Sequence, residues 1–151
     1  GIIKMLKPPD LKFGYRKSSF SSEEFILSAQ FKLKASSEED IKRIKTKASE
    51  GRIKTQPLKY RSAGSVFKNP RSDLAAGFLI EKAGLKGTKY GDAEISTHHA
   101  NFFINHGNAK AKEIAYLISL SRKTVYEKYG IMLDLELMTI GFKNKNLFPY
   151  A

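Results

Sequence analysis

The sequence predicts an α+β fold, a mixed sheet packed against about three helices. Three observations carry that reading. Apolar residues alternate through Phe25, Leu27, Ala29, Phe31 and Leu33, the period of a half-buried strand. Further on, Ile114, Leu117, Ile118 and Val125 keep the three-four spacing of an amphipathic helix. Strand and helix patterns then follow one another without the strict alternation of a parallel α/β chain. At 151 residues there is material for one proper core and a small appendage. The composition, 41% hydrophobic and 28% charged, is that of a soluble globular chain, and no apolar run approaches the roughly 18 residues a membrane helix needs.

Taken in order, residues 2–6 (Ile-Ile-Lys-Met-Leu) read as a short strand ended by Pro8 and Pro9. Position 1 is Gly rather than Met, and the opening residues lack the sections of a secretory leader. The chain therefore reads as a piece of a longer, cytoplasmic protein. Phe13-Gly14-Tyr15-Arg16-Lys17-Ser18-Ser19-Phe20 reads as a turn, its aromatics tucked into a core and its cations outside. The alternating strand occupies residues 24–34.

Ser36-Ser37-Glu38-Glu39-Asp40 opens a helix, with Ser37 and Asp40 spaced like a capping box. Its acidic residues lead and Lys42, Arg43, Lys45 and Lys47 trail, the order that suits the helix dipole. Ile41 and Ile44 share a face, and Gly51 is expected to stop the helix. Ser72 or Asp73 caps a second helix that buries Leu74, Phe78 and Leu79 and ends at Ala83-Gly84. Residues 85–91 are a basic, glycine-rich loop, and 93–96 and 101–105 are strands. A third helix begins near Asn108 and ends at Gly130. Residues 131–142 form a last leucine-rich element, a strand around Glu136, and 143–151 a loose tail.

The chemistry concentrates in Arg61-Ser62-Ala63-Gly64-Ser65-Val66-Phe67-Lys68-Asn69-Pro70. Small residues at 62–64 let a backbone approach a ligand, and Gly64 can adopt a conformation closed to other residues. A hydroxyl (Ser65), an ammonium (Lys68) and an amide (Asn69) follow, and Pro70 disfavours helix at Asn69. The cluster thus belongs on a strand end or turn. His98 and His99 are adjacent without a third ligand at metal-like spacing, which argues against zinc, and there is no Cys. Gly84, Gly87 and Gly91 do not follow a strand and open a helix, so no dinucleotide cradle is expected from them. Glu136 among leucines either faces solvent or, held in a cleft, serves as an acid or hydrogen-bond donor. The net charge of +12 suits a polyanionic partner, although the basic residues are spread without a dense block.

Three stretches together carry a resemblance: residues 13–20, Ser62-Ala63-Gly64-Ser65-Val66-Phe67-Lys68-Asn69-Pro70, and residues 93–105 followed by Leu133-Asp134-Leu135-Glu136. With Ala83-Gly84-Leu85-Lys86-Gly87 and His99-Ala100-Asn101-Phe102, they resemble the UDP-N-acetylenolpyruvoylglucosamine reductase (MurB) family, most closely its shorter-domain branch. The resemblance implies an enzyme that uses FAD, reduced by NADPH, to convert UDP-N-acetylglucosamine enolpyruvate to UDP-N-acetylmuramate for peptidoglycan. It implies that Ser65 protonates the α-carbon while Arg16 and Glu136 hold the carboxylate and stabilise the enolate. Lys68 would ease the serine alkoxide. Tyr15, Asn69 and His99 would line the substrate site, and Lys54 is a looser candidate for the diphosphate.

This sequence departs from the family pattern in two places. Leu135 and Leu137-Met138-Thr139 flank Glu136 where the family has a proline and a basic residue, and the glycine-rich flavin region that precedes Arg16 in the family is absent. The expected organisation is therefore the end of a flavin-binding domain at 1–35, a substrate-binding domain at 36–142 and a tail at 143–151. Such a piece should not carry out hydride transfer alone. A small basic nucleic-acid-binding module and a non-catalytic interaction remnant are the alternatives. Neither an RNP-like aromatic motif nor a basic recognition helix supports the first.

Overall fold

Where the chain folds is decided by which apolar patterns find a partner. The structure, a computed structural model, describes residues 1–141. It divides into two units, Gly1–Ser37 and Glu38–Ala151. In the first, Pro8–Asp10 forms one turn of 3-10 helix, started by prolines whose missing N–H groups would be unpaired there in any case. A two-stranded hairpin follows, β1 (Phe13–Gly14) and β2 (Lys17–Ser18), with Phe13 opposite Ser18 and Gly14 opposite Lys17. Phe13 and Tyr15 are exposed rather than tucked into a core. The expected strands at 2–6 and 24–34 do not form. A strand needs a neighbour for its backbone groups, and the described residues of this unit offer those segments none; Phe25 stays 88% and Leu33 86% exposed.

The second unit opens with α1 (Glu38–Thr55), which starts after Ser37 as expected. It runs through Gly51 instead of stopping there. Gly costs about 1 kcal/mol inside a helix, whereas a proline bars helix at the residue before it, and Pro57 is the nearer absolute limit. Thr55 Oγ1 donates to the Gly51 carbonyl (2.8 Å) across the last turn. Ion pairs Lys42–Glu38 (2.7 Å) and Arg43–Asp40 (2.8 Å) line the exposed surface, and no α1 residue is buried.

The sheet comprises β3 (Arg61–Ser65), β4 (Lys89–Tyr90), β5 (Ala93–Ile95) and β6 (Phe102–Asn105) in the order β3-β6-β5-β4. The α+β class holds, and every pairing among these described strands is antiparallel. Strand β4 lies inside the expected 85–91 loop, where two residues are too short a run to betray a strand. β5 and β6 fall within the expected strands at 93–96 and 101–105.

Two helices supply the core. α2 (Ala76–Lys82) buries Ala76, Leu79 and Ile80. Phe78 lies off that stripe and is 53% exposed, contrary to expectation, with Lys82 Nζ 5.7 Å from its ring centroid. Neither Ser72 nor Asp73 caps this helix; its N-cap is Ala75. Gly84, at φ 84°, turns the chain out of α2 as the sequence indicates.

α3 (Ala111–Tyr129) buries Leu117, Ile118, Ser121 and Val125 and ends on Gly130 in the left-handed conformation. It starts three residues after Asn108, because side chains hold the preceding amides: Asp92 accepts from Asn108 N–H (3.0 Å) and Asn105 from Ala109 N–H (3.0 Å). Glu113 completes the start by accepting from the Lys110 and Asp92 amides (both 3.2 Å).

Residues from both helices, β5, β6 and the Val66-Phe67 pair form one cluster with Leu133. Each fully buried aliphatic side chain there contributes about 1.5–3 kcal/mol. Residues 131–141 are not the expected strand; they form irregular backbone that buries Leu133, packs Ile131, Leu135 and Leu137 against the core and makes an isolated bridge between Leu135 and Phe67. Phe142 and the expected tail at 143–151 lie outside the described residues.

Candidate active site

Ser65 is the last residue of β3. Along this strand Arg61 pairs with Asn105 and Ser62 with Ile104, but the next pairing joins Ser65 to Phe102. One extra residue is therefore accommodated in β3, and Gly64, at φ 81°, makes the bulge possible. Bulges of this kind re-aim a neighbouring side chain, and here the neighbour is Ser65. The small residues read from the sequence serve this local backbone shape, and the cluster does sit at a strand end.

Beyond Ser65 the chain is held from two separate segments. Val66 N–H donates to the Asn101 carbonyl (2.8 Å). Phe67 N–H donates to Asn101 Oδ1 (2.9 Å), while Asn101 Nδ2 donates back to the Phe67 carbonyl (2.8 Å). From the other segment, Glu136 N–H donates to the Val66 carbonyl (2.9 Å), and Lys68 N–H donates to the Asp134 carbonyl (2.8 Å). The backbone of Glu136 is thus fixed to the residue that follows Ser65. Sequence reasoning linked Ser65 with Glu136 only through resemblance; the fold joins their segments directly. Lys68 and Glu136 are each half-buried.

Asn69 Oδ1 accepts the Ala76 N–H (3.1 Å), so this amide ties the Ser65 stretch to the start of α2. It takes on the anchoring work that Ser72 or Asp73 was expected to do. His99 lies in the turn between β5 and β6. Its Nδ1 accepts the Asn101 N–H (3.2 Å), and its ring sits edge-on to Phe102 at 4.8 Å. A Cβ added at Gly77 would come within 3.2 Å of the ring, so the first turn of α2 is a wall of this site. Burial, with repulsion from His98 and Lys86, holds the imidazole below the usual histidine range. The neutral ring accepts at Nδ1 and so carries its proton on Nε2.

Tyr15 and Arg16 belong to the Gly1–Ser37 unit, at the tip of the hairpin. The Arg16 guanidinium lies over the Tyr15 ring, 5.6 Å from its centroid. Arg16 has φ 56°, the one non-glycine residue in the left-handed region among the described residues. That conformation costs about 1–2 kcal/mol for an L-residue and fixes where the side chain departs. Lys54 stands in the last turn of α1 and is exposed.

Asn101 is the residue that sequence reasoning left without a role. It is only 3% exposed. The available signal was a carboxamide beside the apolar run Phe102-Phe103-Ile104, since a polar group buried there must find partners.

The chain matches the family model described as UDP-N-acetylenolpyruvoylglucosamine reductase, C-terminal domain, over residues 56–140. It is 47% identical over 142 residues to the UDP-N-acetylenolpyruvoylglucosamine reductase of Caldicellulosiruptor bescii, an alignment covering 92% of this chain and 45% of that protein. The corresponding protein of Prochlorococcus marinus is 41% identical over 143 residues, covering 94% and 49%. The crystal structure of UDP-N-acetylenolpyruvylglucosamine reductase (MurB) from Thermus caldophilus superposes with a TM-score of 0.73 at 40% identity, covering 87% of this chain and 46% of that one. The chain thus spans about half the length of the curated relatives it matches. On this evidence it belongs to the UDP-N-acetylenolpyruvoylglucosamine reductase (MurB) family.

Proposed function

We propose that this chain supplies the substrate-handling part of a flavin-dependent reductase that converts UDP-N-acetylglucosamine enolpyruvate to UDP-N-acetylmuramate, a peptidoglycan precursor. The observation that carries the reading is the Ser65 strand end, bulged at Gly64 and bonded through Val66 to Glu136, in a chain of this family. The domain reading follows from it: residues 1–35 as the end of a flavin-binding domain and 36–142 as the substrate-binding domain.

The glycines between α2 and β5 are not a dinucleotide cradle. Gly84, Gly87 and Gly91 all have positive φ and lie between α2 and β5, whereas a dinucleotide loop joins a strand to a helix. We therefore assign most of the flavin's contacts to residues outside the described ones, with 1–35 as the end of its domain. When bound, FAD supplies a hydride to the β-carbon of the enolpyruvyl group and NADPH renews it. No helix among the described residues is long and apolar enough to cross a membrane, and a cytoplasmic location suits a nucleotide-sugar substrate.

The chain's own residues handle the carboxylate and the proton. Arg16 grips the substrate carboxylate through two parallel hydrogen bonds, as a guanidinium can and an ammonium cannot. Its charge offsets the negative charge that grows as the enolate forms. Glu136 helps to hold the same carboxylate and to stabilise the enolate. Ser65 delivers its hydroxyl proton to the α-carbon, completing the saturated lactyl ether, and the alkoxide is reprotonated from water. Lys68, three residues further along the chain, makes that alkoxide tolerable. Tyr15, Asn69 and His99 border the sugar nucleotide, His99 presenting a neutral Nε2–H donor. Lys54 meets the diphosphate.

Stopped-flow measurement of the two half-reactions tests this. In the flavin-loaded reductase, Ser65→Ala should slow flavin reoxidation by UDP-N-acetylglucosamine enolpyruvate by about 10²–10⁴-fold and leave flavin reduction by NADPH unchanged. Equal reoxidation rates in variant and wild type would remove Ser65 from the chemistry.

A further inference from the structure

Three hydrogen bonds converge on Asn101 from the two residues that follow Ser65. The side chain both accepts from Phe67 N–H (2.9 Å) and donates to the Phe67 carbonyl (2.8 Å). This is the reciprocal pair that a residue of a neighbouring antiparallel strand would make. β6 begins only at Phe102, so the carboxamide extends the pairing past the end of the ladder. The backbone of Asn101 takes part as well, its carbonyl accepting from Val66 N–H (2.8 Å). Its own N–H is held in turn by His99 Nδ1 at 3.2 Å.

We propose that Asn101 is a positioning residue for Ser65: it clamps Val66 and Phe67 so that the serine, on the bulged end of β3, is held in one orientation towards the α-carbon. The proposal rests on the reading of Ser65 as proton donor. Three features make the clamp specific. Phe67 is 1% exposed and Asn101 3% exposed, so water cannot replace the bonds. Gly64 precedes Ser65 with a positive φ, leaving the upstream side conformationally permissive. The Glu136 N–H bonds to the Val66 carbonyl, so a strand released from Asn101 would also disturb the Glu136 segment. His99 has a part in the same device, because its neutral ring must accept at Nδ1 for Asn101 to keep its place.

The test compares Asn101→Ala with Asn101→Asp, an isostere that keeps the acceptor for Phe67 N–H but loses the donor. Both are made in the flavin-loaded reductase and in this chain. The chain reports by NMR on amide exchange at Phe67, and far-UV circular dichroism checks folding; the isostere serves where the alanine variant fails to fold. Turnover should fall on the order of 10²-fold, the effect of displacing a reacting group by about an ångström, with KM for the enolpyruvyl substrate within about threefold. Flavin reduction by NADPH should be unchanged, and the solvent isotope effect on substrate reduction should rise as proton delivery becomes limiting. A merely structural asparagine would lower stability without moving that isotope effect.

Turnover within about threefold of wild type in a folded variant whose Phe67 amide has lost protection would overturn the proposal. Unchanged Phe67 exchange in both variants would overturn it too. Full activity of Ser65→Ala would overturn the underlying reading instead, whatever Asn101 does.

Discussion

Strand β6 and residues 25–33 carry apolar residues in comparable density, yet they meet opposite fates. β6 has β3 on one edge and β5 on the other, and Phe102, Phe103 and Ile104 are buried. Residues 25–33 pair with no strand among the described residues, and Phe25, Leu27, Phe31 and Leu33 all remain exposed. Periodicity selects which side chains could share a face; partners decide whether a strand exists. The contrast extends to the helices. α1 and α3 have 18 and 19 residues, but α1 buries none while α3 buries four, because only α3 packs on the sheet. The Glu38–Ala151 unit is held by its own core, whereas the Gly1–Ser37 unit contributes a hairpin and a left-handed arginine.

If the exposed unit contributes to catalysis as proposed, its largest effect comes from Arg16. In the flavin-loaded reductase, Arg16→Ala should slow substrate reduction by about 10²–10³-fold, the usual cost of removing a donor aimed at developing charge. Arg16→Lys should be nearly as slow, because a point charge cannot copy the bidentate grip. A mild lysine phenotype in steady-state assays would show that charge alone matters at the hairpin tip.

Next in size is stability. Leu117→Ala, at a fully buried position on α3, should destabilise the chain by about 2–5 kcal/mol in urea unfolding. Phe31→Ala should change it by less than about 0.5 kcal/mol. Comparable losses from both would mean that residues 25–33 are packed after all and would erase the contrast between the units.

The smallest expected effect is a pH dependence from His99. Burial holds its folded-state value below the ordinary histidine value of about 6.5. As pH falls, the unfolded chain therefore takes up this proton first. The stability associated with neutral His99 is present above about pH 6.5 and is lost progressively as pH falls from there through the folded value. Denaturant unfolding from pH 8 to pH 5 should show that decline, and His99→Gln should flatten it. Parallel curves for variant and wild type would exclude His99 as the source.

What could be read from the sequence was what local signals encode. α3, its glycine stop, β5, β6 and the Gly84 exit from α2 all announce themselves within a few residues. β4 does not, since two residues hold no period, and the end of α1 was set by Pro57 rather than by the glycine before it. The Ser65 cluster was legible because small residues and a proline mark an unusual backbone. Asn101 was not, because its role exists only through Phe67, which lies 34 positions earlier in the chain. The joining of Glu136 to Val66 is likewise a fact of folding that spacing does not contain.

The bulge in β3 has a consequence for protein engineering. To a designer seeking a more regular sheet, Gly64 is an inviting target, since glycine weakens strands and valine favours them. Gly64→Val would favour a straightened strand. Pairing continued regularly from Ser62 and Ile104 would then set residue 64 opposite Phe102 and Ser65 opposite Asn101, turning the serine to the other side of the sheet. The sheet would gain regularity and the reductase would lose the proton donor proposed at Ser65, a trade of activity for order decided one residue away.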